Sequence, residues 1–482
     1  MPTPEIAWRA IAPELALVGG GLLTLLIDAF RPRVRRSILA TLTLMTAGLA
    51  AWFTFDLHDL DKHRAVVMQG TLAVDGVSLF ANMILLATCA MTVIISYHYL
   101  SRRNIHRGEY YPLILFATAG MVLLAAANDL LLVFLALEVL SLALYVLAGF
   151  ARRDDASQES ALKYFLLGAF SSAFLLYGIA LAYGATNSTN LGTISGVVTS
   201  ADARLMFTAM ALLAVGFGFK VAAVPFHMWT PDVYQGAPTS VTGFMAAGTK
   251  AAGFAALLRV FLVALGPLQW DWRPVLWIVA VLTMVIGSVI AIAQNDIKRL
   301  LAYSSIAHAG YVLIAVISAS NDGIAAALFY LLVYAFMTLG AFATVIASAP
   351  GGKERLSLSE WTGLGQRHPL FAGVMTLFLL SLAGIPPTAG FMGKFFVFSA
   401  AVQAGETGLV VVGVLTSAIA AFFYLRVIVA MWLQDPEPGA AGLGPSPALA
   451  TGVFLAAAAT IALGVWPQGL IDLARNAGVF TG

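Results

Sequence analysis

Charge is what this sequence has least of. Only 10% of its 482 residues are Asp, Glu, Lys or Arg, where soluble globular domains carry about a quarter. Hydrophobic residues make up 60%, and the mean hydropathy is +0.90. A lipid solvent accounts for such a composition. Cysteine is nearly absent: Cys89 stands alone inside an apolar run. That excludes a disulfide framework and a cysteine-based metal site, and leaves Cys89 as a small buried hydrophobe. There is no glycine-rich phosphate loop, no CxxC, no HExxH, and no histidine pair at haem-ligating spacing. No basic stripe suggests nucleic acid, and no loop is long enough for a soluble domain. Lysine is scarce as well, with seven in the chain.

What is present is a succession of long apolar runs. A membrane span takes about 20 mostly apolar residues. Such runs fall near 11–30, 37–55, 75–100, 111–127, 129–150, 160–184, 205–229, 238–265, 275–294, 298–318, 323–347, 370–400, 408–433 and 447–466. The expectation is an all-α polytopic membrane protein of about 14 transmembrane helices. The first run has no basic leader and no cleavage site, so it reads as a span. The Ala127–Asn128–Asp129 junction is the tightest boundary, and without it thirteen spans would put the termini on opposite sides. Basic residues set orientation. Odd-numbered loops hold Arg31, Arg33, Arg35, Arg36, Arg102, Arg103, Arg107, Arg152, Arg153, Lys298, Arg299, Lys353, Arg355 and Arg367. Even-numbered loops hold Lys62, Arg64, Arg204 and Arg273. Odd loops therefore face the cytoplasm, and both termini face outward. Asp435–Pro447 reads as a linker before the last helix.

An internal repeat is visible. Tyr164, Leu166, Ala169, Phe170 and Ser172 recur 166 residues later as Tyr330, Leu332, Ala335, Phe336 and Thr338. Five helices separate the copies, so the two are inverted in the membrane, a transporter pattern. This divides the chain into an N-terminal three-helix segment (1–110), five-helix repeats at 111–265 and 275–433, and a linker with a C-terminal helix (434–482). Each repeat contains a helix that proline breaks. Pro225 interrupts the run carrying Lys220, and Pro386 with Pro387 interrupts FLLSLAGIPPTAGFMGKFF. Proline leaves carbonyls such as those of Val221, Leu382 and Ala383 without intrahelical partners. Broken helices survive at membrane depth only where the freed backbone is buried in protein or lines a wet cavity.

Lys163, Lys220, Lys250 and Lys394 lie within spans, whereas loop positive charge is almost all arginine. Arginine stays protonated, but a buried lysine can titrate, so this division suits a proton relay. Glu138 is the one acid deep among the spans, and Lys220 is its expected partner. A static ion pair holding helices together is the plain rival. Lys163 lies one turn into its helix, where it can serve the relay or snorkel to the interface. His227, at the break, is placed to join Lys220 to Lys250, and His308 to reach toward Lys394. Either can also be an ordinary hydrogen-bonded histidine. Asp232 reads as structural, and Arg259 and Arg426 as cross-helix partners or snorkelling groups.

Three stretches then carry a resemblance. Lys220–Thr239 (KVAAVPFHMWTPDVYQGAPT), Gln294–Tyr311 (QNDIKRLLAYSSIAHAGY) and Leu380–Phe395 (LSLAGIPPTAGFMGKF) resemble the antiporter-like membrane subunits of respiratory complex I and the related Mrp antiporter subunits. Leu137–Glu138 and Lys163–Tyr164–Phe165 extend the match over most of the chain. The resemblance implies Glu138 and Lys220 as a switching pair, Lys250 as central relay and Lys394 as terminal group. It implies proton translocation through two half-channels, driven by quinone reduction elsewhere in a complex. It implies no cofactor in this chain, with NADH, FMN, iron–sulfur clusters and quinone in partner subunits. Partners would be a neighbouring antiporter-like subunit, small membrane subunits and the bilayer, in a bacterial inner membrane. An Mrp-type Na⁺/H⁺ antiporter subunit and a hydrogenase-type complex share the same axis. A membrane spacer is the non-transporting alternative.

Overall fold

The computed structural model describes residues 7–31, 33–58, 65–349, 354–436, 442–444 and 446–480. Lys62, Arg64 and Lys353, used above for orientation, lie outside these, as does part of the linker. The chain is about 80% helical. Among the described residues, twelve helices are long and apolar enough to cross a membrane, and Tyr110–Ala126 and Pro369–Ala383 are shorter apolar helices. Together they fill the fourteen expected places.

The helices are α1 (Ala12–Phe30), α2 (Arg36–Asp56), α3 (Gly76–Arg102), α4 (Tyr110–Ala126), α5 (Leu130–Ala148) and α6 (Asp155–Thr186). Next come α7 (Ala203–Val221), the short α8 (Trp229–Gly236) and α9, which runs over Thr239–Ala264. Then follow α10 (Gln269–Ile292), α11 (Ile297–Ile317), α12 (Asn321–Ala347), α13 (Pro369–Ala383) and α14 (Ala389–Gln403). The chain closes with α15 (Thr407–Leu433), α16 (Pro447–Val465) and α17 (Gln468–Ala477).

The doubtful junction at Asn128 is a real helix boundary. Asp129 caps α5, its carboxylate accepting from the Leu131 and Leu132 amides. Two departures from the expected architecture are small. A hairpin, β1 (Ala65–Val67) with β2 (Leu72–Val74), precedes α3, so the chain is not purely helical. A terminal helix, α17, follows the last span. Its polar residues, Gln468, Asp472, Arg475 and Asn476, interrupt the apolar run that a span needs.

Loop contacts group by parity. Odd-numbered loops meet one another: Arg103 pairs with Asp154 at 2.8 Å and lies 3.8 Å from Glu354. Even-numbered loops do the same, as in Arg273–Glu406 at 2.7 Å and Thr189–Asp129 at 2.7 Å.

Burial runs through α9, α11 and α12, whose apolar stretches are about nine-tenths enclosed. The outer helices expose their apolar faces, as at Leu135, Leu142, Phe170, Leu415 and Phe454. An apolar exterior around a bundle that carries its polar groups inside is the arrangement a bilayer demands.

Both predicted breaks are present. α7 ends at Val221 with Ala222 left-handed (φ 62°), and α13 ends at Ala383 with Gly384 left-handed (φ 86°). The proline rings of Pro225, Pro386 and Pro387 face outward. The freed backbone faces inward and finds donors. Trp229 Nε1 donates to the Phe219 carbonyl (2.9 Å), and Lys394 Nζ donates to the Ala383 carbonyl (2.9 Å). A third irregularity has no sequence signature: α9 contains π turns at Met245–Thr249 and Val260–Ala264. Lys250 directly follows the first. Such bulges gather at functional sites.

Candidate functional site

Lys220, Lys250 and Lys394 are 3%, 2% and 5% exposed, each deep in the bundle. Lys220 Nζ donates to Ser141 Oγ (2.9 Å) and Tyr164 OH (3.4 Å). Glu138 does not meet it. No ion pair within 4 Å joins the two among the described residues. Glu138 instead accepts from Ser172 Oγ at 2.5 Å. Two serines thus stand where a direct pair was expected. A cavity of about 10 Å³ beside them, lined by Ser141, Tyr145, Ser171, Ser172 and Lys220, has room for about one water. Nor is Glu138 deep. It is half-buried on α5, next to Val139 and Leu142 on the outward face. The hydrophobic run around it made it look central, but burial across a helix depends on which way the helix faces.

Lys250 Nζ donates to the Ser305 carbonyl of α11. Tyr334 OH donates to Ser305 Oγ (2.8 Å), and the Tyr334 ring lies 5.2 Å from the ring of His308. His308 is enclosed. Its Nδ1 shares a hydrogen bond with Tyr330 OH (2.7 Å), and its Nε2 with Tyr424 OH (3.3 Å). Tyr311 lies between His308 and Lys394: its ring is 5.6 Å from the imidazole, and Lys394 Nζ sits 4.6 Å from its centroid. A line of hydrogen bonds and ring contacts therefore runs from Lys250 to Lys394 through Ser305, Tyr334, His308 and Tyr311. Tyr164 attends Lys220 in one half, and its counterpart Tyr330 attends His308 in the other.

His227 is not brought between the lysines. It is half-buried at the outward break, and its Nδ1 has no partner. Lys220 and Lys250 approach each other through the backbone of α9 instead: a Cβ at Gly253 would lie 3.5 Å from Lys220 Cγ. No hydrogen bond links the two lysines. Lys163 is 40% exposed and held at 2.7 Å by both Glu159 and Asp232. Asp232 is structural, as expected: it ties Lys163 of α6 to Arg299 of α11, each at 2.7 Å.

Two groups escaped sequence reasoning. Lys298, counted above as a loop charge, is 1% exposed at the start of α11 and donates to the Ala237 carbonyl (2.6 Å). Asp75 forms a two-point pair with Arg259 (2.8 and 2.7 Å), both fully enclosed. Asp75 also caps α3 in a capping box with Ser78. The D-x-x-S spacing ahead of the apolar run was a legible signal for the cap, though not for the arginine. Arg426 reaches across to the carbonyls of Ile292 and Gln294.

Broken helices, enclosed lysines beside them and a tyrosine–histidine bridge within an all-α bundle define an antiporter-like membrane subunit. The family described as "NADH:quinone oxidoreductase/Mrp antiporter, TM" matches residues 127–420. NADH-quinone oxidoreductase subunit N of Acidothermus cellulolyticus is 47% identical over 99% of this chain and 97% of its own length. A chain of respiratory complex I from Thermus thermophilus with bound aureothin superposes with TM-score 0.80 at 38% identity, covering 96% of this chain and 99% of that one. A chain of the Mrp complex from Dietzia sp. shares the fold at TM-score 0.86 and 22% identity, over 98% and 97%. The chain belongs to the NADH:quinone oxidoreductase/Mrp antiporter family of multi-pass membrane proteins. Within that family its full-length likeness is to subunit N of NADH-quinone oxidoreductase.

Proposed function

We propose that this chain is a membrane-arm subunit of an NADH:quinone oxidoreductase and moves protons along the axis from Glu138 through Lys220, Lys250 and His308 to Lys394. The two repeats, 111–265 and 275–433, each supply a half-channel. Redox chemistry belongs to partner subunits holding NADH, FMN, iron–sulfur clusters and quinone. The protein sits in the bacterial inner membrane with its termini outward. A neighbouring antiporter-like subunit and small membrane subunits flank it. The half-buried Glu138, turned toward the outer face of α5, suits contact with such a neighbour.

The observation that carries the proposal is the line from Lys250 to Lys394. Each lysine on it donates to an uncharged carbonyl. A lysine so placed can lose and regain its proton while keeping a hydrogen bond. Lys163, gripped by two carboxylates, suits an anchoring role better than a relay. The test is Lys220→Ala and Glu138→Ala in the assembled complex in closed vesicles. Both should cut NADH-driven proton pumping strongly. A fully assembled variant that pumps as the parent does would refute the assignment.

A further inference from the structure

Lys298 and Glu354 form a buried titratable pair that the axis above does not use. We infer that this pair is an intake site that loads protons from the side of the odd-numbered loops onto Lys250. The inference rests on the axis proposed above.

Both side chains are enclosed, at 2% and 5% exposure, and their charged atoms are 3.9 Å apart. That is too long for a hydrogen bond. Glu354 Oε1 is buried without a partner. A buried carboxylate oxygen left unpaired marks a place where water or a proton belongs. Charged neighbours surround the pair on every packed element. Arg103 at the end of α3 lies 3.8 Å from Glu354 and pairs with Asp154 at the start of α6. Asp296 caps α11 and accepts from Gln235 of α8 (3.2 Å).

The inward direction is marked by hydroxyls. Lys298 Nζ and Thr242 Oγ1 share the Ala237 carbonyl, at 2.6 and 3.4 Å. Beyond them, Tyr234 OH lies toward Ser305 and Thr338 Oγ1 toward Tyr334, both buried and at the edge of hydrogen-bond reach, and Thr239 Oγ1 is buried without a close partner. Thr338 lies one turn along α12 from Tyr334, which donates to Ser305. Ser305, whose carbonyl receives Lys250, lies two turns along α11 from Lys298, about 10 Å away. Hydroxyls grouped between two enclosed lysines are what a short water thread needs as anchors.

The step balances simply. Glu354 takes a proton from water on the loop side. Lys298 releases its proton inward along the hydroxyls to a neutral Lys250, and Glu354 then reprotonates Lys298. One proton has moved, and the pair returns to its starting charge.

The experiment compares Lys298→Arg, Lys298→Met, Glu354→Gln and Lys250→Met in the assembled complex in closed vesicles, reading pumping against quinone reduction. Arginine keeps the charge and the bond to Ala237 but does not release a proton. A purely structural lysine is therefore rescued by Lys298→Arg, and a loading lysine is not. The expected result is an assembled Lys298→Arg complex whose pumping falls about tenfold or more, with Glu354→Gln falling alike. Parental pumping in Lys298→Arg or Glu354→Gln overturns the inference. If neither Lys298 variant assembles, Glu354→Gln decides alone. Parental pumping in Lys250→Met would instead sink the axis itself. Loss there with intact Lys298→Arg and Glu354→Gln would leave the axis standing and remove the intake.

Discussion

The two helix breaks invite one paired perturbation, Gly384→Ala against Ala222→Gly. Each residue ends a half-helix in the left-handed region, Gly384 at φ 86° and Ala222 at φ 62°. For an L-residue that conformation costs about 1–2 kcal/mol, and glycine escapes the cost. Alanine at 384 acquires it and meets a second obstacle. Its Cβ would lie 2.9 Å from Lys394 Cδ and 3.3 Å from Lys394 Nζ. The lysine must move off the Ala383 carbonyl or the break must open. Since about 1.4 kcal/mol is tenfold in an equilibrium, the backbone term alone lowers the population of the intact break about 5–30-fold. Glycine at 222 acts in reverse, relieving strain of the same size with no side chain nearby to displace. NADH-driven acidification of inverted vesicles, normalised to the amount of assembled complex, reads the effect. Gly384→Ala should lose most of its pumping, and Ala222→Gly should keep it. Parental pumping in an assembled Gly384→Ala complex would show that Lys394 need not sit at the break.

The other predictions concern stability. Arg259→Met removes the fully enclosed two-point ion pair with Asp75, which costs about 3–5 kcal/mol and should lower both the yield and the melting temperature of the complex. Adding Asp75→Asn removes the Asp75 charge while keeping an N-cap acceptor, so the double variant should recover much of the loss. A double variant no better than the single would refute the assignment of the cost to the Asp75 charge. His106, in the loop after α3, has its pKa lowered to about 4 by burial and then by Arg36 and His98. The folded state prefers the neutral ring, so this contribution is complete above about pH 6.5 and is lost as pH falls from there toward 4. His106→Gln should flatten the acid side of the stability profile, and an unchanged profile would count against the shift.

The spans and the breaks were legible because their signals are local. Twenty apolar residues, or a proline after a lysine-bearing helix, need no partner to be recognised. Lys394 and Lys250 were legible for the same reason. Glu138 and Lys298 were misjudged in opposite directions because burial is a tertiary property. Glu138 lies in an unbroken apolar run, yet α5 turns it toward the rim. Lys298 lies in a polar stretch, Gln294–Arg299, yet α8 and the loop at Glu354 close over it. His227 was placed by its nearness in sequence to Lys220, and the break carries it outward. The serines and tyrosines of the axis gave no signal, since hydroxyl residues are ordinary in membrane helices.

Arginine and lysine divide more sharply in space than along the chain. The fully enclosed Arg259 is locked onto a carboxylate, and Arg426 onto two carbonyls at a helix end. Lys220, Lys250, Lys298 and Lys394 each make their hydrogen bonds to uncharged oxygens, from Ser141, Ser305, Ala237 and Ala383. An arginine that never deprotonates can be given a fixed counter-charge without functional loss. A lysine that must titrate cannot, because deprotonation would strand the counter-charge in a low-dielectric interior. Neutral acceptors avoid that penalty, since an amine still donates to a carbonyl. Lys298 hydrogen-bonds as the three axis lysines do, but Glu354 at 3.9 Å stands beside it as a counter-charge that takes up a proton itself in the intake proposed above; Lys163, pinned by Glu159 and Asp232, belongs with Arg259.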